Sequence, residues 1–290
     1  MKIIKFFCSF GNSENCKNVY IRLSELENDE KYGKDFIFSI GDNYSHAIIL
    51  NTDMPVLNIP RENVIGLSFE PPQFLNLTYN FIKYAKKNIS KYYIGSISSK
   101  DNRLGLDLPE PFYEHYGYQW HLSPPKTIKI KNKIMSIMIS DKYMAPGHKY
   151  RHILVQEILK TDLPIDIYGR GCKYYKNIDN RLKGIFNEDK ELVEDYKFTI
   201  AIENFKLPHY FSEKITNPLL YETMPIYLGC KNINNYFPNN VINLSNNLNL
   251  DMKLITDICK NPDNYIFGEK IIDTNNIKKK ISIKNVLELF

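Results

Sequence analysis

The chain has no stretch approaching the roughly 20 apolar residues that a bilayer-spanning helix needs, and no segment repeats itself. Its five cysteines, Cys8, Cys16, Cys172, Cys230 and Cys259, are odd in number and irregularly spaced, with no Cys-x-x-Cys. That pattern argues against both a disulfide framework and a zinc site. The opening MKIIKFFCSFGN holds only about six apolar residues before polar sequence, fewer than the roughly 7 to 15 of a secretory leader. It reads as a first strand, and the chain is expected to be cytoplasmic, with at most peripheral contact at the inner face of a membrane. Charge of one sign is scarce as well. Thirty-eight Lys and Arg against 33 Asp and Glu leave a net charge of +5, and no basic stripe interleaved with aromatics stands out, so nucleic acid is not an expected partner.

What is present is the composition of a globular protein, 43% hydrophobic and 24% charged over 290 residues, long enough for two domains with separate cores. In the amino-terminal part, strand-like runs start at Ile3, Asp35, His46 and Val64. A helix-like TYNFIKYAKKN then precedes the strand KYYIGSI. The alternation predicts an α/β domain over 1–125. The Pro124-Pro125 pair and the basic run after it read as a linker. IMSIMIS from Ile134, the helix-like YRHILVQEILK from Tyr150 and the strand PIDIYG open a second α/β domain over 126–290, which IKKKISIKNVLELF closes with a helix. The asparagine cluster at 239–249 reads as a surface loop.

The densest signal lies between Tyr196 and Pro238. YKFTIAI is a short apolar and β-branched run, hence a buried strand, and Glu203 and Asn204 stand where it ends. Open α/β sheets place ligand groups at such carboxyl ends. Ser212 is a good N-cap, followed by Glu213 and Lys214 in the first turn of a helix whose apolar positions are Ile215, Leu219 and Leu220. The N–H groups at that helix start favour an anion. TMPIYLG then reads as another buried strand stopped by Gly229.

With Tyr196, Lys197, Phe198, Glu203, Asn204, Tyr210, Glu213, Lys214, Pro225, Ile226 and Gly229 in place, the run resembles the donor-binding motif of the α1,3/4-fucosyltransferases, glycosyltransferase family 10, of the bacterial or viral type. The spacing from Asn204 to Tyr210 is kept. Two positions depart from the family, Ile202 where Phe is usual and Phe205-Lys206-Leu207 where smaller polar residues are usual. The resemblance implies the GT-B architecture, two Rossmann-like α/β domains facing a central cleft, with the donor half second. It implies an inverting transfer of L-fucose from GDP-fucose to a hydroxyl of a GlcNAc- or Glc-containing surface glycan. The partners are then a nucleotide sugar and a glycan acceptor.

Such a transfer needs a base for the acceptor proton, charge for the departing diphosphate and alignment of the reacting atoms. Glu70, in FEPPQF after the VIGLSF strand, is similar to the Glu of the family's Glu-Ser-Pro motif, its general base, although Pro71 stands in the middle here. Lys214 is the expected diphosphate contact. Glu213 resembles the family's ribose-binding Glu, Tyr210 its aromatic residue at the donor pocket, and Asn204 with Glu203 its strand-end pair. The family has a phosphate-binding Arg at the start of the first helix of the donor domain; counting back from PIDIYG puts His152 at that place with Arg151 next to it, and Arg151 fills the role if the helix begins one residue differently. Tyr168-Gly169-Arg170-Gly171 matches a Phe-Gly-Arg-Gly run near the guanine. Each residue alone has a plainer reading: a solvated loop acid for Glu70, dipole complementation for Glu213, packing for Tyr210, a surface position for Arg151, a chain turn for Gly169, a core ring for Trp120. No Asp-x-Asp occurs, so no metal and no other cofactor is expected, and Lys214, Arg151 and helix N-termini would neutralise the leaving group. The alternatives are a transferase of the same fold using another nucleotide sugar, favoured by the altered loop at 205–207, and a non-catalytic glycan-binding relative.

Overall fold

Twelve strands form two six-stranded sheets in the computed structural model, which describes residues 1–118, 120–175, 179–266 and 272–290. The first sheet is built from β1 (Lys2–Cys8), β2 (Phe36–Ser39), β3 (His46–Leu50), β4 (Val64–Leu67), β5 (Lys91–Ile94) and β6 (Phe112–Glu114), with α1 (Ser13–Leu23) and α2 (Tyr79–Asn88) among them. Its order is β2-β1-β3-β4-β5-β6, and its pairings are parallel. Parallel strands need crossovers that cover both faces, which is why they read as continuous apolar runs. One face buries Ile4, Phe6, Tyr20 and Leu67, the other Ile49, Phe81, Ala85 and Tyr92. Gly66 in β4 makes room for Tyr92, since a Cβ there would lie 2.1 Å from the ring.

The second sheet contains β7 (Lys133–Met138), β8 (Ile165–Tyr168), β9 (Leu182–Gly184), β10 (Tyr196–Ile202), β11 (Met224–Leu228) and β12 (Ile242–Asn243), again parallel throughout. Between and after them run α3 (Pro146–Ile158), α4 (Glu213–Leu220) and α5 (Leu248–Lys260), followed by α6 (Thr274–Ile281) and α7 (Lys284–Leu287). The order β12-β11-β10-β7-β8-β9 is the doubly wound arrangement of a dinucleotide-binding domain, with its topological switch between β7 and β10. Ile137, Ile167, Phe198, Ile200 and Ile226 on the strands pack with Leu154, Val155, Ile255 and Ile258 on the helices. The expected strands and the helix α2 are all present. α3 begins at Pro146 rather than Tyr150, the proline occupying a first-turn position where its missing N–H costs nothing.

The compact units divide the chain otherwise than 1–125 and 126–290. Unit one comprises Met1–His121, Leu207–Ser212 and Lys278–Phe290, and unit two Leu122–Lys206 and Glu213–Ile277. The linker candidate is tied into unit two: the Leu122 N–H donates to Asn217 Oδ1 at 2.8 Å and Lys131 Nζ to Thr223 Oγ1 at 2.7 Å. The closing segment belongs with the first core instead. Ile283 and Val286 are buried there, and the Ile283 N–H donates to Ser24 Oγ at 3.1 Å. Among the described residues no helix is long and apolar enough to cross a membrane.

Candidate functional site

In unit two the carboxyl ends of β7 and β10 sit side by side at the switch point, and the start of α3 rises beside them. Gly147, in the first turn of α3, lies against the strand end: its N–H donates to the Asn204 carbonyl at 3.0 Å, and a Cβ on it would fall 1.8 Å from the Glu203 oxygen. No other residue fits this contact without moving the chain. One turn later Arg151 is buried, donating from Nε to the Gly147 carbonyl at 3.1 Å and from Nη2 to Asn204 Oδ1 at 2.7 Å. Its neighbour His152 turns away, one ring nitrogen 2.8 Å from the Ser140 carbonyl and the other 2.8 Å from the Tyr175 hydroxyl. Helix geometry thus selects Arg151, not His152, for the strand end.

Glu203 is wholly buried. Its N–H donates to the Leu228 carbonyl at 2.8 Å, the Tyr227 hydroxyl approaches its Oε1 at 3.5 Å, and Gly229 leaves the room its side chain needs. Lys214, in the first turn of α4, has a side chain only 17% exposed and stands 3.9 Å from Glu203 and 2.8 Å from Glu213. Burial works against its charge, but Glu213 and Glu203 outweigh that, and its pKa lies above the ordinary lysine value. His148 also belongs to this group. Burial first, then the charges of Arg151, Lys142 and Lys214, lower its pKa to about 4, and its neutral Nδ1 accepts the Ala145 N–H at 3.2 Å. The site is therefore a fixed cationic pair with a neutral imidazole among buried polar partners, suited to an anion with several oxygens.

A pocket of about 100 Å³ adjoins the group, lined by Arg151, Glu213 and Lys214 together with Met138, Phe186, Asp189, Leu192, Ile202 and Pro218. Its lining is mostly apolar with a few converging charged groups, as in small-molecule sites. Of the expected donor residues, Arg151, Glu203, Asn204, Glu213 and Lys214 converge here. Gly169 and Arg170 lie on the neighbouring strand end. Gly169, at φ +104°, approaches the Ile139 carbonyl so closely that a Cβ would stand 2.2 Å from it, and Arg170 is exposed. Tyr210 is buried in unit one against Gly95, and Glu70 stands exposed in the same unit, three residues beyond β4, with its carbonyl accepting from Ser68 Oγ at 2.6 Å. Sequence reasoning missed His148, Gly147 and Asp189; the Pro146-Gly147 pair was the one available signal, since it marks a helix start just after a buried strand. Among the described residues no cluster of three or more His, Cys, Asp or Glu is placed to hold a metal.

Two doubly wound parallel sheets, the second with a cationic site at its switch point, place the chain in the GT-B class of α/β proteins. Residues 128–265 match the sequence model of "Glycosyltransferase family 10 (fucosyltransferase) C-term". An α-(1,3)-fucosyltransferase B of Drosophila melanogaster is 30% identical over 190 residues, which are 62% of this chain and 38% of that protein. The GDP-fucose protein O-fucosyltransferase 3 of Homo sapiens is 31% identical over 94 residues, 31% of this chain and 19% of that protein. A crystal structure of an α1,3-fucosyltransferase has the same fold, with a TM-score of 0.54 at 15% identity over 99% of this chain and 90% of that one. The match to glycosyltransferase family 10 is carried by the stretch 128–265, a little under half of the chain. It spans well under half the length of these two sequence relatives.

Proposed function

We propose that the chain is an inverting α1,3-fucosyltransferase that moves L-fucose from GDP-fucose to a hydroxyl of a GlcNAc- or Glc-containing surface glycan. The observation that carries this reading is the arrangement of Arg151 on Asn204 and of Lys214 between Glu203 and Glu213, inside the segment that matches the family. In the reaction the acceptor oxygen bonds to the anomeric carbon as the bond from that carbon to the β-phosphate oxygen breaks, and GDP departs. Glu70 takes the acceptor proton. Lys214 and Arg151 meet the charge that develops on the diphosphate, already oriented and so at no cost of reorganisation during the step. Glu213 holds the ribose hydroxyls. Two fixed cations supply the counter-charge, so the reaction needs no metal and no further cofactor.

The test is a panel of nucleotide sugars assayed for turnover, with GDP and UDP compared for binding. Release of GDP from GDP-fucose, with formation of an α-fucoside on a GlcNAc-containing acceptor, is the expected result. Binding of UDP in preference to GDP would replace the donor.

A further inference from the structure

The donor motif accounts for Arg151, Glu213 and Lys214 in the unit-two pocket, but not for the second acid in its lining. Asp189 lines this pocket from the short turn Asp189–Leu192, just ahead of β10, beside Phe186 and Leu192. Its carboxylate has no hydrogen bond or ion pair among the described residues. Asp189 is exposed as a residue, with its carboxylate only partly withdrawn from water; that partial burial first, and then the nearby charge of Glu213, raise its pKa, with Lys214 opposing. A carboxylate held beside another acid on an apolar wall gains most from a ligand that brings N–H donors.

Taking the pocket as the donor site proposed above, we propose that Asp189 selects the base: its two oxygens accept from N1–H and the 2-amino group of guanine, while Phe186 and Leu192 flank the ring. Guanine alone among the common bases presents two adjacent donors to one planar acceptor pair. Adenine offers a bare acceptor at N1 and no 2-amino group. Uracil offers one N–H between two carbonyl oxygens, which a carboxylate repels. A site built to bond a donor rejects the analogue that lacks it, because its own polar group is then left unpaired. The ribose hydroxyls fall to Glu213 beside it, so the two acids divide the nucleoside between them.

The experiment is calorimetric titration of the full chain and of Asp189→Asn with GDP, IDP, XDP and UDP. IDP keeps the ribose and both phosphates and lacks only the 2-amino group. The wild-type chain is expected to bind GDP roughly tenfold more tightly than IDP, and Asp189→Asn to lose roughly ten- to a hundredfold for GDP. The same variant gains affinity for XDP, since its amide donates to the carbonyl that replaces the 2-amino group. Equal wild-type affinity for GDP and IDP, or an Asp189→Asn chain that binds GDP unchanged and gains nothing for XDP, overturns the assignment while leaving the GDP site standing. Wild-type preference for UDP overturns the donor reading, and the role of Asp189 falls with it.

Discussion

At the carboxyl end of the second sheet, Arg151, Asn204, Glu203 and Lys214 fix one another through hydrogen bonds and ion pairs on buried side chains. At the carboxyl end of the first sheet, Glu70 is exposed on a bend beyond β4, near the aromatic group of Phe69, Phe10 and Trp120. The folds are alike, parallel and doubly wound, yet one end is a rigid polyvalent ionic site and the other an acid on a loop. A diphosphate rewards the first design, because its charge is met by groups that need not reorganise. A proton acceptor for a variable hydroxyl is served by the second, because loops on a rigid scaffold can change without disturbing the core.

The largest expected effect breaks this comparison on the first-sheet side. Glu70→Gln should lower the transfer rate by roughly 10²- to 10⁴-fold, the usual contribution of a positioned base, with GDP affinity unchanged in calorimetry. Retained turnover would remove Glu70 from the chemistry and leave unit one with binding alone.

On the second-sheet side the comparison is sharpened by pH. His148 has an ordinary value of 6.5 and a folded value of about 4. Between those values the unfolded chain binds a proton at this ring and the folded chain does not, so stability falls as the pH falls from 6.5 to 4. The window is worth up to roughly 3 kcal/mol. His148→Gln should flatten that part of the stability curve in urea melts at several pH values, whereas an unaltered curve would show that the ring titrates normally beside Arg151.

Lys214→Ala should weaken GDP binding by roughly 1 to 3 kcal/mol, the range for losing a hydrogen bond to a charged group. It also leaves Glu203 buried without this cation, so thermal stability should fall together with affinity. If affinity stays intact, the ion pairs with Glu203 and Glu213 are structural and the anion site rests on Arg151.

The second sheet was the more legible of the two for the same physical reason. β10 is buried on both faces, so its sequence is an unbroken apolar run, and its end is marked by Glu203-Asn204. β6, β9 and β12 are only three, three and two residues long, too short to carry a pattern. α5 was obscured by composition: Asn247 is its cap, accepting from the N–H groups of Asn249 and Leu250, in a cluster that reads as a loop. Asp189 and His148 were invisible because their meaning comes from Glu213, Lys214 and Arg151, which reach them only through the fold. The unit boundaries at 121 and 278 depend on long-range anchors, such as Ile283 to Ser24, that no local signal announces.

The smallest effect tests whether protein cations alone balance the leaving group. In Arg151 and Lys214 the second sheet holds two positive charges beside the switch point, one locked onto Asn204 and one kept protonated by Glu213 and Glu203 despite burial. A divalent ion would compete with these charges for the same phosphate oxygens, so adding one brings little. Transfer measured with and without EDTA should therefore be unchanged. A loss restored by magnesium or manganese would shift the neutralisation from the side chains to a metal, and would reduce Arg151 and Lys214 to positioning the nucleotide.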